Sequence, residues 1–301
     1  MHEWPDLTAL ELVVAVADHG SLSAGARAIG MAQPNASRSL ARLERGLGLS
    51  LVVRSTAGSR LTPAGLLVVD WARQVLTAAG TLVEGAAGLA HSGEGGLAVS
   101  ASQTVAEHLL PAWLARLRVV HPGVSVDVAV HNTAEVVADV LAGVSALGFV
   151  EGPHAPAGVH SRVVAIDELV LVVAADHPWA HRRDRVSAAE LAGTPLLTRE
   201  HGSGTRVMLD EALLSGVGRA VTPIQALGSN AAVRVAVQSG AGPAVLSRLA
   251  VAEGLRAGAL LEVPLDLDLR RHLRAVWTGP RRLTGLAAAL VDIAAAAATR
   301  G

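Results

Sequence analysis

Apolar positions Leu7, Leu10, Val14 and Ala17 recur at helical spacing, and His19-Gly20 ends the run. A second helix follows to about Ile29, with Ser21 or Ser23 available to cap it. Gly30-Met31-Ala32 makes a turn. Pro34 is tolerated only in the first turn of a helix, so a third helix starts near Gln33 and runs to about Glu44. Ala36, Leu40 and Leu43 share one side of it, which leaves Gln33, Asn35, Ser37, Arg38 and Arg42 outside. Leu51-Val52-Val53 and Arg60-Leu61, joined by Ser-Thr-Ala-Gly-Ser, read as the two strands of a wing. Short helices around a tight turn, followed by a hairpin, predict a winged helix-turn-helix, which lays one helix in the DNA major groove.

Thr62-Pro63 is a capped helix start. The series Leu66, Val69, Ala72, Val75 or Leu76, Ala79, Leu82 or Val83, and Ala86 carries the helix towards Ala90. About 28 residues at 1.5 Å each give roughly 40 Å, longer than a domain of about 60 residues can cover. A partner helix, and hence a dimer, is expected. Ser92-Gly93-Glu94-Gly95-Gly96 reads as a linker. Beyond it, strand-like runs at 97–101, 124–130, 146–150, 162–166, 168–174, 195–198, 221–225, 243–246, 260–263 and 272–277 alternate with helix-like stretches. Those stretches are 104–120, 133–142, 187–192, 204–215, 230–239 and 281–299, and the alternation predicts a doubly wound α/β architecture.

Length and composition sharpen this picture. A chain of 301 residues, 51% hydrophobic and 17% charged, holds two or three domains with well-packed cores. Its net charge of -1 does not point to nucleic acid, but the distribution does. Arg27, Arg38, Arg42, Arg45, Arg54 and Arg60 face the single acid Glu44 within residues 27–60. All 25 basic residues are Arg, which fits a chain-wide coding bias better than selection for base contacts. The absence of Cys excludes disulfides and thiol catalysis. No secretory signal and no apolar run of transmembrane length is visible, so a soluble cytoplasmic protein without a membrane role is expected. No Gly-x-Ser-x-Gly, His-Glu-x-x-His or Walker loop appears, and neither an enzyme nor a cofactor is expected. His177 and His181 stand four apart, but Pro178 breaks the helix that would align their rings on a metal.

On the third helix Gln33, Pro34, Asn35, Ser37 and Arg38 are the candidate groove residues, since Gln or Asn pairs with adenine and Arg with guanine. Ser23, Arg42, Arg54, Thr56 and Arg60 are placed for the backbone and its phosphates. In the α/β region three strand-to-helix turns carry hydroxyls: Ser100 to Thr104 (with Ser102 and Gln103), Arg199 to Arg206 (with Ser203 and Thr205), and Gly228-Ser229-Asn230. Such turns offer free helix N–H groups, and hydroxyls beside an Arg favour a small anion. Plain helix capping explains any one of them equally well.

Taken together, Gly20-Ser21-Leu22-Ser23-Ala24, Gln33-Pro34, Ser37-Arg38, Leu43-Glu44, Leu47-Gly48, Arg54 and Leu61-Thr62-Pro63-Ala64-Gly65 resemble the LysR-type transcriptional regulators, over the whole chain and most strongly in its first 65 residues. The resemblance implies a winged helix-turn-helix domain (1–62), a linker and dimerisation helix (63–91), and a two-lobed effector domain like periplasmic binding proteins. The lobes would be 93–164 with 265–301, and 165–264. It also implies promoter or operator DNA, a homodimer or homotetramer, a small-molecule effector of unknown identity, and RNA polymerase as partners. Glu151 then sits where the chain crosses between lobes and is a candidate hinge or cleft residue. Two departures stand out. Ala32 replaces the usual Ser or Thr cap of the recognition helix, and Gly143-Val144-Ser145-Ala146 lacks the Asp of the family's Gly-x-x-Asp. The run Arg-Glu-x-Gly-Ser-Gly-Thr-Arg resembles a subgroup that includes regulators of carbon fixation and sulfur assimilation. A solute-binding protein of a transport system would share the two-lobed cleft, but the missing signal sequence and the N-terminal winged segment count against it.

Overall fold

The computed structural model describes residues 4–55, 58–91 and 96–298, and the chain divides into two compact units, Met1–Glu84 and Gly85–Gly301. In the first unit α1 (Leu7–His19) is capped by Asp6, whose carboxylate accepts from Thr8 N at 2.8 Å, and is stopped by Gly20 at φ 74°. Of the two serines available for α2 (Leu22–Ala28), Ser21 is the cap and accepts from Ala24 N at 3.2 Å. Helix α3 (Gln33–Leu47) starts on Ala32 without a side-chain cap, relying on Pro34 in its first turn.

Strands β1 (Val52–Ser55) and β2 (Gly58–Leu61) form the antiparallel wing, with Val52 opposite Leu61. Helix α4 (Pro63–His91) begins where the Thr62 hydroxyl accepts from Gly65 N at 2.9 Å and donates to the Ser50 carbonyl at 2.7 Å. Leu10, Leu12, Val13 and Val16 of α1 pack with Ala36, Leu40 and Leu43 of α3, with Leu51, and with Val68, Val69 and Ala72 of α4. The other side of α4 leaves Leu66, Leu67, Trp71, Val75, Leu82 and Val83 exposed.

The second unit runs β3 (Gly96–Ser102), α5 (Gln103–His108), α6 (Leu110–Val120), β4 (Ser125–His131), α7 (Thr133–Ala142), β5 (Leu147–Gly152) and β6 (His160–Val173). There follow α8 (Ala188–Gly193), β7 (Leu196–Arg199), α9 (Gly204–Val217), β8 (Pro223–Leu227), α10 (Asn230–Gln238) and β9 (Ala244–Ser247). The last elements are α11 (Arg248–Arg256), β10 (Leu261–Val263), β11 (Arg270–Trp277) and α12 (Gly285–Ala298). Hydrogen-bonded strands follow the order β4-β3-β5-β11-β6-β9-β7-β8, with β10 beside β6. Strands β5, β7 and β9 are buried along their whole length, as expected for strands covered on both faces.

Three details differ from the sequence reading. The helix expected over 104–120 is two helices that meet at Leu109, because Pro111 lacks an N–H and its ring clashes with the preceding turn. The strands expected at 162–166 and 168–174 are one strand, so the expected boundary after residue 164 falls inside β6. Up to Glu168 β6 pairs with β11; from Leu169 it pairs with β9 and β10. Helix α11 was not foreseen; Ser247 caps it by accepting from Leu249 N at 3.2 Å. Two lobes result. One holds β3, β4, β5, β11 and the first half of β6; the other holds the rest of β6 with β7 to β10.

Candidate functional site

In the first unit α3 presents a polar surface opposite its buried Ala36, Leu40 and Leu43. Gln33, Pro34, Asn35, Arg38 and Arg42 are exposed on it, Ser37 is half-buried, and Arg60 is exposed on the wing. Ser23 is half-buried on α2. Arg54 pairs through its backbone with Ser59, and Thr56 lies outside the described residues. Arg38 donates from Nη2 to Asn35 Oδ1 at 2.6 Å, so these two candidate base readers are tied to each other. Glu44 is turned away to the wing, accepting from Leu51 N at 2.7 Å and Val52 N at 3.2 Å. The single acid of the basic stretch is thereby committed to locking the hairpin onto α3. Gln33, Asn35, Arg38 and Arg42 give this face the polar and cationic groups that phosphate binding requires.

In the second unit the three hydroxyl-bearing turns converge at the C-terminal ends of the parallel strands. Gln103 joins the lobes with both ends of its amide. Its Nε2 donates to the Gly228 carbonyl at 2.7 Å, and its Oε1 accepts from Asn230 N at 3.0 Å at the start of α10. Asn230 Nδ2 donates to Thr104 Oγ1 at 3.3 Å, and Ala134 N to the Gly202 carbonyl at 3.1 Å. The approach is tight enough to require glycine at 204, where a Cβ would sit 2.0 Å from the Glu151 carbonyl oxygen. The lobes are closed on each other.

At the centre lies Arg271, on β11, 1% exposed. Its guanidinium donates to Asp167 Oδ2 from Nε at 2.9 Å and from Nη2 at 2.8 Å, and Nη2 also stands 3.2 Å from Glu151 Oε2. It further donates to Thr205 Oγ1 at 3.0 Å and Thr104 Oγ1 at 3.4 Å. Ser102 and Thr205 donate to the two Glu151 oxygens at 3.3 and 3.5 Å, and Ser247 donates to Asp167 at 2.9 Å. Two carboxylates and one guanidinium are thus buried together, each oxygen and nitrogen hydrogen-bonded to a neighbour, as burial of charge demands.

Ser102, Gln103, Thr104, Glu151, Thr205 and Asn230 are therefore brought together in one network. Others are engaged elsewhere. Ser100 is satisfied within its own lobe by Asp139 at 2.6 Å and Ser145 at 2.7 Å, so Ser145 occupies the stretch where the family's Asp is missing. Arg206 is not a free cation for a ligand: Asp210 takes its Nε at 2.5 Å and Thr198 its Nη1 at 2.8 Å. Ser229 caps α10 by accepting from Ala232 N at 3.0 Å. Ser203, at the N-terminus of α9, is 1% exposed, and its hydroxyl makes neither a capping bond nor any other hydrogen bond. His177, away from the cleft, accepts from Trp179 N at 3.1 Å through Nδ1 and packs edge-on against the Trp179 ring. Arg271 and Asp167 were missed in the sequence. The available signal was an opposed pair of charged dipeptides, Asp167-Glu168 and Arg270-Arg271, on strands that proved to be neighbours in register.

Residues 7–66 match the family described as bacterial regulatory helix-turn-helix protein, lysR family, and residues 90–299 match the LysR substrate binding domain. The chain belongs to the LysR family of transcriptional regulators. An uncharacterized HTH-type transcriptional regulator of Mycobacterium tuberculosis is 45% identical over 286 residues, 92% of either chain. The uncharacterized HTH-type transcriptional regulator YeiE of Escherichia coli is 33% identical over 286 residues, 94% of either chain. In fold, this LysR-type chain is similar to a mutant of Corynebacterium glutamicum OxyR, with a TM-score of 0.57 and 23% identity over 100% of this chain and 94% of that one. The regulator thus couples a DNA-binding helix-turn-helix unit to an effector-binding unit of two α/β lobes.

Proposed function

We propose that this regulator senses a small oxyanion or carboxylate held in the cleft at the N-terminus of α9, and that its occupancy sets operator binding by a homodimer or homotetramer in the cytoplasm. One observation carries the reading: the buried Ser203 hydroxyl lacks a partner where the first N–H groups of a 14-residue helix converge. The hydroxyls of Ser102, Thr104 and Thr205 surround the same closure, and Arg271 is a cation contacted from both lobes there. An entering anion competes with Glu151 and Asp167 for that cation. It therefore redistributes the contacts that join the lobes, and ligand and lobe arrangement become thermodynamically linked.

On the DNA side, Gln33, Asn35 and Arg38 read base edges while Arg42, Arg54 and Arg60 neutralise phosphates. A second copy of the chain covers the exposed apolar face of α4, a face too extended for a solvated surface. RNA polymerase is the further partner through which such a regulator acts.

The test is a thermal-shift screen of the full chain with sulfate, phosphate and small carboxylates, followed by binding to the intergenic DNA beside its own gene at physiological salt with competitor DNA. The expected result is an anion that raises the melting temperature and alters the DNA footprint. Specific DNA binding with no response to any anion overturns the effector reading, and absence of specific DNA binding overturns the operator reading.

A further inference from the structure

The buried cluster at the centre of the cleft is unbalanced in charge. Arg271 supplies one positive charge to the carboxylates of Glu151 and Asp167, and all three side chains are at most 2% exposed. The neighbouring guanidiniums are committed, Arg199 to Glu200 at 2.8 Å and Arg206 to Asp210 at 2.5 Å. One negative charge is left over, and the distances locate it. Asp167 receives the guanidinium at 2.8 and 2.9 Å and the Ser247 hydroxyl at 2.9 Å. The Glu151 carboxylate has Arg271 at 3.2 Å, Ser102 at 3.3 Å and Thr205 at 3.5 Å. We propose that the effector is a zwitterion, a small molecule with a carboxylate beside an ammonium, such as an α-amino acid, and that Glu151 takes the ammonium. This rests on the anion reading above and narrows it.

The carboxylate end finds its donors at the start of α9 and opposite it. Ser203, 1% exposed, has a hydroxyl without a partner. Thr104, 0% exposed, offers a second. Arg199 Nη1 can only donate, so Asn230 turns Oδ1 to it at 2.5 Å and Nδ2 towards Thr104 Oγ1 at 3.3 Å. Arg271 Nη2 donates to the same oxygen at 3.4 Å, so both lone pairs of Thr104 are taken and its hydrogen is left to give. Glu151 adjoins this helix start: a Cβ on Gly204 would stand 2.9 Å from Glu151 Cγ. Donors for an anion and an under-neutralised carboxylate thus lie side by side. A plain anion that draws Arg271 to itself leaves Glu151 buried without its cation, which burial penalises heavily. A ligand that carries its own ammonium refills that place, and every buried charge keeps a partner.

The experiment screens the full-length protein by thermal shift with the standard L-amino acids, sulfate, and simple carboxylates and amines. The best amino acid is then titrated calorimetrically beside the same molecule lacking its ammonium and the same molecule lacking its carboxylate. The amino acid is expected to bind roughly tenfold or more tightly than either. Glu151→Gln is expected to weaken the amino acid roughly tenfold and to leave the plain carboxylate equal or tighter, since no charge is stranded. A plain anion that binds the wild-type protein as tightly as the best amino acid overturns the zwitterion and leaves the anion reading standing. A plain amine that does so, or no response to any of these compounds, overturns both. Unchanged discrimination in Glu151→Gln also overturns the proposal, and if that variant does not fold, the wild-type comparison alone decides.

Discussion

Arg271 Nη2 stands 3.2 Å from Glu151 Oε2, with the two side chains 0% and 2% exposed, and the ion pair joins β11 to its neighbour β5. Because water cannot screen it, this contact responds to changes in charge far more than a surface pair does.

Replacing Arg271 by Met strands two carboxylates, Glu151 and Asp167, in the interior. Breaking such a pair costs about 3–5 kcal/mol. Urea unfolding of Arg271→Met is expected to show that loss. Adding Glu151→Gln and Asp167→Asn, which removes the unpaired charges, is expected to restore most of it.

Arg38→Ala removes a cation from the exposed face of α3 without touching the core. Affinity for the operator is expected to fall by about 1–3 kcal/mol, roughly fivefold or more, in fluorescence anisotropy, with oligomer mass unchanged. Asn35→Ala, which also unties Arg38 from its 2.6 Å hydrogen bond, is expected to broaden sequence preference more than it weakens binding.

Ser203→Ala deletes a buried hydroxyl that has no partner. Unliganded stability is expected to stay level or rise by about 1 kcal/mol, since an unmet polar group is costly. The thermal response to the effector anion is expected to disappear, and a variant that keeps the full response refutes the role given to this hydroxyl.

Trp71 is 58% exposed in the middle of the apolar outer face of α4. Trp71→Ser is expected to weaken self-association by about 2 kcal/mol or more, the scale of an aromatic interface anchor. Light scattering across a dilution series reads this directly, while the fold of the monomer, which packs Val68, Val69 and Ala72 instead, stays intact.

Burial holds the His177 imidazole below its ordinary value of 6.5, with Asp176 pulling weakly the other way. A lowered folded value means that the contribution to stability is complete above the ordinary value and is lost as pH falls through the folded one. His177→Asn keeps an acceptor for Trp179 N but does not titrate. Melting temperatures of the two proteins are expected to converge or cross as pH drops below about 6.5.

How much of this was legible in the sequence depended on range. The helix-turn-helix unit is specified by neighbours: Ser21 caps three residues ahead, Pro34 fixes the first turn of α3, and Thr62 caps the start of α4. The cleft is assembled from distant pieces. Arg271 and Asp167 are 104 residues apart in sequence, and an Arg within Arg-Arg-His-Leu-Arg reads as a solvated strand until its neighbour is known. Arg206 illustrates the converse. Its place beside a glycine-rich turn pointed to a ligand, but Asp210, one helical turn on, neutralises it. The break at Leu109 was legible from Pro111, whereas α11 was not: it is a short helix, Arg248–Arg256, whose apolar residues run together from Leu249 to Ala252 and so set no helical period.

The continuity of β6 through both sheets has a thermodynamic corollary. Since one strand supplies hydrogen bonds to both lobes, neither lobe can melt without stripping partners from the other, and the effector unit is expected to unfold in a single cooperative transition. Amides of residues 166–172 are then expected to exchange with solvent only in that global event, as the most slowly exchanging segment of the unit.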